Sequence, residues 1–240
     1  MQIVNISTYK FVELSDIESL QASFKQKLIE LGLKGTVVFS PEGTNIMLAG
    51  TREAIDAFGD FLRSDARFAD MKFKESLSEN QPFRRIFVKL KKSLVPGADW
   101  VNPAEFTAPN LSPEQLKKWL EEGKEFNLID TRNDYEVEMG TFENAVDFHL
   151  KEFKEFPQRI EQAELDKEKP LVMFCTGGIR CEKASPVAIK AGFKEVYQLE
   201  GGILNYFERC GKAYYQGDCF VFDERRGVTP ELSPAQKIQQ

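Results

Sequence analysis

Apolar residues in the first third of the chain switch between helical and extended spacing. Ile17, Leu20, Phe24, Leu28 and Leu31 recur every three or four positions and predict an amphipathic helix, with Ser15 as its cap and Gly32 at its end. Ala54, Ile55, Phe58, Phe61 and Leu62 line one face of a second helix. Strand-like segments fall at residues 3–9, 35–39, 45–49, 72–76 and 83–90, the second and third joined by SPEGT. The order strand, helix, strand, strand, helix, strand predicts a small α+β sandwich of the ferredoxin type over residues 1–92, with helices on one face of an antiparallel sheet.

The periodicity lapses in SLVPGADWVNPAEFTAPN, and residues 93–111 read as a linker. Ser112-Pro113-Glu114-Gln115 then opens a helix in the manner of a capping box, with Leu116, Trp119 and Leu120 as its buried stripe and Gly123 as its stop. Apolar strands at residues 126–130, 171–174 and 195–199 alternate with helical segments. That alternation predicts an α/β domain over residues 112–212, with a parallel sheet, helices on both faces and functional groups beyond the carboxyl ends of the strands. Residues 213–240 read as a C-terminal extension. Pro186 lies inside the helix that follows the second of these strands, where a missing N–H predicts a kink.

Charge and cysteine content narrow the function classes. The net charge of −6 gives no global attraction to nucleic acid, yet between Met71 and Lys92 seven basic residues stand against two acidic ones. The apolar run Leu171-Val172-Met173-Phe174-Cys175 is far shorter than the span of about 20 residues that crosses a bilayer. The opening MQIVNISTYK lacks a basic stretch followed by an apolar one. Cysteines at positions 175, 181, 210 and 219 form no CxxC pair, and His149 is the single histidine. These features predict a cytoplasmic protein with free thiols, no membrane association and no metal site. Cys210 and Cys219 are expected to be structural, and His149 an ordinary, partly exposed side chain.

The chemistry concentrates in Cys175, Thr176, Gly177, Gly178, Ile179 and Arg180, a Gly-rich turn between a buried strand and a helix. Strand, turn and helix N-terminus form an anion cradle of backbone N–H groups, which Gly177 and Gly178 allow to curl inward. The amides, the helix terminus and the Arg180 charge all favour thiolate at Cys175, predicting a nucleophile at neutral pH. Asp130 and Arg132 follow a central strand and are expected to brace the loop. Cys181 could resolve an oxidised Cys175, but packing in the first helical turn is the expectation.

This loop resembles that of the rhodanese family, as do Leu128-Ile129-Asp130-Thr131-Arg132, Tyr135-Glu136, Gly140, Asn144-Ala145, Gly192-Phe193 and Leu199-Glu200-Gly201-Gly202. The resemblance covers residues 112–210 and implies an α/β rhodanese-like fold whose cysteine carries a persulfide ringed by N–H groups. Its C-x4-R spacing is one residue shorter than the C-x5-R loop of cysteine phosphatases, which fits a phosphate. A narrower resemblance spans nearly the whole chain. The sequences SPEGTN, PFRRIFVKLKKSLV, CTGGIRCEKAS and CFVFDER, in that order, are similar to the rhodanese-containing tRNA uridine hydroxylases. That resemblance implies oxygen-dependent 5-hydroxylation of the wobble uridine, with Cys175 as reactive centre, tRNA as partner and molecular oxygen as co-substrate. It implies no other cofactor and no stable protein partner, and no G-x-G-x-x-G fingerprint is present. Some members of that family continue into a cysteine-rich tail, whose functions are expected to be missing from a chain ending at Gln240.

Residues 83–91 separate by alternation. Ile86, Val88 and Leu90 would face the helices, and Phe83, Arg85, Phe87, Lys89 and Lys91 the other way. Aromatic rings between cations on a sheet face suit base stacking and phosphate neutralisation, so Arg84, Arg85, Phe87, Lys89, Lys91 and Lys92 are the expected RNA-binding residues. Two other readings stand beside the hydroxylase. A sulfurtransferase acting on a small thiol or protein acceptor needs Cys175 and its loop but not the basic strand. An RNA-binding module with a vestigial rhodanese fold needs the strand but not Cys175.

Overall fold

In the computed structural model, which describes residues 2–235, the chain divides into two units between Leu94 and Val95. The first contains β1 (Ile3–Phe11), α1 (Ile17–Glu30), β2 (Lys34–Ser40), β3 (Gly43–Gly50), α2 (Arg52–Arg63), β4 (Lys74–Ser78) and β5 (Ile86–Leu90). Its sheet has the order β4-β1-β3-β2-β5. The first four strands pair antiparallel, as expected for a ferredoxin-type unit. β5 departs from that expectation by joining the edge of β2 in parallel, with Thr36 opposite Phe87 and Val38 opposite Lys89. The short segment after β4 crosses at the end of the sheet where β4 finishes. β5 must therefore run opposite to β4, which is the direction of β2.

The two apolar helical stripes account for the core. Leu20, Phe24 and Leu28 of α1 and Ile55, Phe58 and Leu62 of α2 pack on Val4, Ile6, Val37, Phe39, Ile46 and Leu48. Ile86, Val88 and Leu90 pack against the same cluster. The N-cap of α1 is Asp16 rather than Ser15, and its side chain makes no capping bond. Thr51 caps α2 by accepting from the Ala54 N–H at 3.2 Å.

The second unit carries β6 (Asn110–Leu111), α3 (Pro113–Glu121), β7 (Asn127–Asp130), α4 (Asp134–Val137), β8 (Gly140–Phe142), β9 (Val146–Asp147) and α5 (Phe156–Gln162). It continues with β10 (Leu171–Phe174), α6 (Ile179–Lys190), β11 (Val196–Leu199), α7 (Gly202–Cys210), β12 (Tyr215–Gly217), β13 (Cys219–Phe220) and β14 (Gly227–Val228). Its main sheet, β6-β11-β10-β7-β9, is parallel throughout. The uninterrupted apolar run of β10 fits a strand covered on both faces. Val172 and Phe174 face a cluster with Leu116 and Trp119 of α3 and Ile203, Tyr206 and Phe207 of α7. α5 and α6 pack against each other, and α6 packs on β10 and β11.

Two stretches without clear periodicity take ordered roles here. Asn110–Leu111, inside the segment read as a linker, is an edge strand beside β11. Beyond α7, β12 pairs with β8 and β13 with β14, and Tyr215, Cys219 and Val228 join the core cluster of β10.

Pro186 does not end the helix: α6 continues through it to Lys190. The carbonyl that Pro186 leaves unbonded belongs to Glu182, and the Thr107 hydroxyl donates to it at 3.2 Å. No helix among the described residues is long and apolar enough to cross a membrane.

Candidate functional site

The reactive loop leaves the carboxyl end of β10, the middle strand of the parallel sheet. Gly178 is the N-cap of α6 and sits in the left-handed region with φ 101°. Its N–H donates to Cys175 Sγ at 3.1 Å. Gly177 has an ordinary φ and open space where a Cβ would stand, so Gly178 is the position where the loop requires glycine.

Cys175 is buried, 1% exposed. Burial pushes its thiol up. The Cys181 thiol, the Arg180 charge and the loop amides outweigh burial and bring Cys175 below the ordinary thiol range. Cys181 moves the opposite way, raised by its own burial and by the neighbouring Cys175. Thr131 Oγ1 lies 3.8 Å from Cys181 Sγ and bonds the Phe174 carbonyl at 2.9 Å.

A second helix supports the loop from behind. The first amides of α7, on Ile203 and Leu204, donate to the carbonyls of Cys175 at 3.0 Å and Thr176 at 3.1 Å. Gly202, with φ 67°, makes this approach possible, since a Cβ there would stand 2.4 Å from the Cys175 carbonyl oxygen.

Two buried guanidinium–carboxylate pairs complete the surroundings. Asp130 and Arg132 are both fully buried and joined by bonds of 2.7 to 3.2 Å. Arg132 also donates to the carbonyls of Glu136 and Gly140, and Thr141 donates to Asp130 at 2.8 Å. Asp130 and Arg132 thus tie β7 to the turn around α4 and β8. Arg180 is not an isolated cation aimed at the sulfur. It is bidentate to the buried Glu136, at 2.6 and 2.7 Å. Glu136 also accepts from the Thr176 hydroxyl and the Asn133 N–H. Sequence reasoning left Glu136 out of the site. Its one local signal was the capping pattern from Asn133 to Glu136.

Residues after α7 reach the same place. Phe220 offers its carbonyl to Thr176 Oγ1 at 3.5 Å, and its ring meets Tyr135 at 5.2 Å and Phe222 at 5.2 Å, edge to face. Cys219 is buried and pushed up to about 12 by that burial, an unreactive packing thiol. Cys210 is partly buried, and its thiol is raised as well.

His149 is 77% exposed, but its neighbourhood is not ordinary. Nδ1 lies 3.1 Å from Asp147 and 3.5 Å from Asp134. Among the described residues this is the one trio of potential metal-binding side chains. Lys151 already pairs with Asp134 there.

In the first unit, Arg84, Arg85, Lys89, Lys91 and Lys92 are exposed. Phe87 is 46% exposed, and Lys89 Nζ lies 5.0 Å from the centre of its ring. Register places Phe87 and Lys89 on the sheet face of Thr36 and Val38, which also carries Met47, Asn45, Ser7 and Tyr9. Lys74 Nζ lies 5.2 Å from the Tyr9 ring on that face.

These two units correspond to two recognised domain types. Residues 3–94 match the profile of the UPF0176 acylphosphatase like domain, and residues 112–209 match the rhodanese-like domain. The chain is thus a rhodanese-domain protein with an acylphosphatase-like N-terminal unit. It is 52% identical over 98% of its length to the tRNA uridine(34) hydroxylase of Cupriavidus necator, covering 86% of that protein. The protein of the same name from Thiobacillus denitrificans is 50% identical, over 98% of this chain and 97% of its own length. The one from Ralstonia nicotianae is 51% identical, over 98% and 86%. The chain belongs to the tRNA uridine(34) hydroxylase family. Among solved structures, the rhodanese-like domain of an Anabaena protein overlays at a TM-score of 0.39 and 21% identity, covering 46% of this chain and 80% of that one.

Proposed function

We propose that this protein is a tRNA-modifying oxidoreductase that hydroxylates uridine 34 at C5, with Cys175 as its reactive centre and dioxygen as the oxygen source. It acts in the cytoplasm. The reaction replaces the C5–H bond with C5–OH. The second oxygen atom of dioxygen leaves as water, its two electrons and two protons coming from an external two-electron reductant that is oxidised in the same turnover. The observation that carries the assignment of the centre is the bond from the Gly178 N–H to Cys175 Sγ at 3.1 Å, inside a six-residue loop. A sulfur held this way is stabilised as an anion without a diffusing counterion. Thr176, Gly177, Gly178, Ile179 and Arg180 shape the cradle. Asp130 and Arg132 position it from β7, and Glu136 positions Arg180.

The exposed face with Arg85, Phe87 and Lys89 supports RNA binding by the first unit. Cations there would contact phosphates and the Phe87 ring a base, with Arg84, Lys91 and Lys92 extending the positive field. A local basic patch of this kind lets a protein of net charge −6 hold a polyanion.

The deciding experiment incubates the purified protein with tRNA and a two-electron reductant such as a dithiol under labelled dioxygen and analyses the nucleosides by mass spectrometry. Labelled 5-hydroxyuridine that requires Cys175 supports the proposal. Unmodified tRNA, or an unlabelled product, overturns it. The lowered Cys175 thiol also favours a second reading, sulfur transfer from thiosulfate to a small thiol or protein acceptor. Turnover of thiosulfate and a thiol, with no change in tRNA, would select that reading.

A further inference from the structure

Tyr135 and Phe222 are 48% and 49% exposed, yet neither is a loosely placed surface ring. Phe220 holds both in edge-to-face contact, at interplanar angles of 79° and 81°. The backbone beneath Phe222 is built to stay in place. Cys219 and Phe220 pair with Val228 and Gly227, and the Val221 N–H bonds the Arg226 carbonyl at 3.0 Å. Asp223 pairs with Arg225 at 2.5 Å and also accepts its N–H at 2.9 Å. Tyr135 lies in α4, directly before the buried Glu136 that grips Arg180. The Phe220 carbonyl lies 3.5 Å from the hydroxyl of Thr176, the residue after the reactive cysteine.

Large apolar rings that are fixed in solvent beside a reactive group leave apolar surface to be covered by a ligand. We propose that Tyr135 and Phe222 form a stacking platform that receives a single pyrimidine base of RNA on the side of the reactive loop where Phe220 meets Thr176. The inference rests on the tRNA-modifying reading given above and adds the place where the target base is held. An enzyme that modifies a base atom takes the base out of its stack and offers flat side chains in exchange. Base edges and aromatic faces meet with little sequence preference, so the platform supplies placement. The exposed Arg226, adjacent to the Asp223–Arg225 turn, provides positive charge for the flanking phosphate. A single-stranded RNA fits this combination of rings and cation better than an apolar protein partner.

The test uses the full-length enzyme and an anticodon stem-loop with the fluorescent pyrimidine pyrrolocytosine at the wobble position. Stacking on the rings quenches that base. Tyr135→Leu and Phe222→Leu keep apolar bulk and remove the aromatic face. Each is expected to lose the quench and to raise KM for tRNA by about 10-fold or more. kcat should fall less than KM rises. Tyr135→Phe and Phe222→Tyr, which keep the rings, should retain both quench and KM. Unfolding midpoints and the ultraviolet signature of the Cys175 thiolate should match wild type in all four, which separates a missing stack from a damaged loop. A quench and KM unchanged in the leucine variants, or no quench in the wild type, overturns the platform. The fluorescence needs no turnover. Absent hydroxylation with quenching intact would therefore count against the reaction and leave the platform standing.

Discussion

Arg180 and Glu136 form a bidentate pair, Nη1 to Oε2 at 2.7 Å and Nη2 to Oε1 at 2.6 Å, with Glu136 wholly inside the protein. The cation of the reactive loop is therefore shared with a carboxylate that enters from α4, and the field at Cys175 is that of the pair. Replacing Glu136 by Gln separates two consequences that usually travel together. Removing one partner of a buried ion pair costs about 3–5 kcal/mol, so urea unfolding should show a large loss of stability. The uncompensated Arg180 charge should at the same time favour the Cys175 thiolate further. Its ionisation midpoint, read from ultraviolet thiolate absorbance, should move down. A midpoint that moves up would mean that Glu136 matters to the thiolate through loop geometry alone.

The Cys181 thiol is the second lever on the same sulfur. It is buried, its own thiol is raised by burial and by Cys175, and it holds the Cys175 thiol down. Cys181→Ala removes this influence, and the Cys175 midpoint should rise toward the ordinary thiol value of about 8.5. Linkage gives the stability counterpart. An acidic group whose folded pKa is depressed contributes stability that is complete above its unfolded pKa and is lost as pH falls through the folded one. The stability difference between wild type and Cys175→Ser should therefore grow as pH rises from below the folded midpoint to the ordinary thiol value. Parallel pH–stability curves for the two proteins would contradict a depressed Cys175 thiol.

The features that chain-local patterns can carry are legible in the sequence alone. The apolar run of β10 and the glycine turn after it announce a buried parallel strand with an anion cradle at its end. The alternation in residues 83–91 sets Phe87 and Lys89 opposite Ile86 and Val88. What escapes depends on partners far apart in sequence. Glu136 meets Arg180 across 44 positions, and Thr107 meets the carbonyl left open by Pro186 across 75. No spacing rule links such pairs, so a proline that should bend a helix reads as a fault until its rescuer is seen. The parallel pairing of β5 escapes for a related reason. It follows from the end of the sheet at which β4 stops, which is a property of the folded sheet.

Thr107 offers a test of that rescue. Thr107→Val keeps the shape of the side chain and removes the hydroxyl that donates to the Glu182 carbonyl and meets Ser185 Oγ at 3.1 Å. Losing a hydrogen bond to this partly buried carbonyl costs about 0.5–1.5 kcal/mol. Thermal or urea unfolding should register that loss in Thr107→Val. In Pro186→Ala the restored backbone N–H can serve the Glu182 carbonyl, so Thr107→Val made in that background should cost less. Equal costs in the two backgrounds would show that the hydroxyl and the proline are not coupled.

Gly202 tests how rigidly the loop is held. It sits at φ 67°, and a methyl group there would stand 2.4 Å from the Cys175 carbonyl oxygen and 2.8 Å from the Gly178 nitrogen. Both are backbone atoms, so no side chain can swing away to make room. Gly202→Ala should displace α7 from the loop and weaken the bonds from the Ile203 and Leu204 amides. The Cys175 midpoint should rise as the cradle loosens, and tRNA hydroxylation should fall steeply. Wild-type activity in Gly202→Ala would show that the bracing contacts are dispensable for the chemistry.

The RNA face is tested by salt as well as by affinity. Removing one cation from a phosphate reduces the slope of log affinity against log salt by about 0.7 on a single strand and by about 0.9 on a duplex. Arg85→Glu and Lys89→Glu reverse charges flanking the exposed Phe87 ring. Each should weaken tRNA binding, and the two together should flatten the salt dependence by roughly the sum of their separate effects. Phe87→Ala should weaken binding with little change in slope, because stacking releases no counterions. Sulfur transfer from thiosulfate to a small thiol, where the protein supports it, should be untouched by all three, since that reaction needs only Cys175 and its loop. Affinity and slope unchanged in the double reversal would remove this strand from tRNA recognition and leave that role to the surface around Arg226.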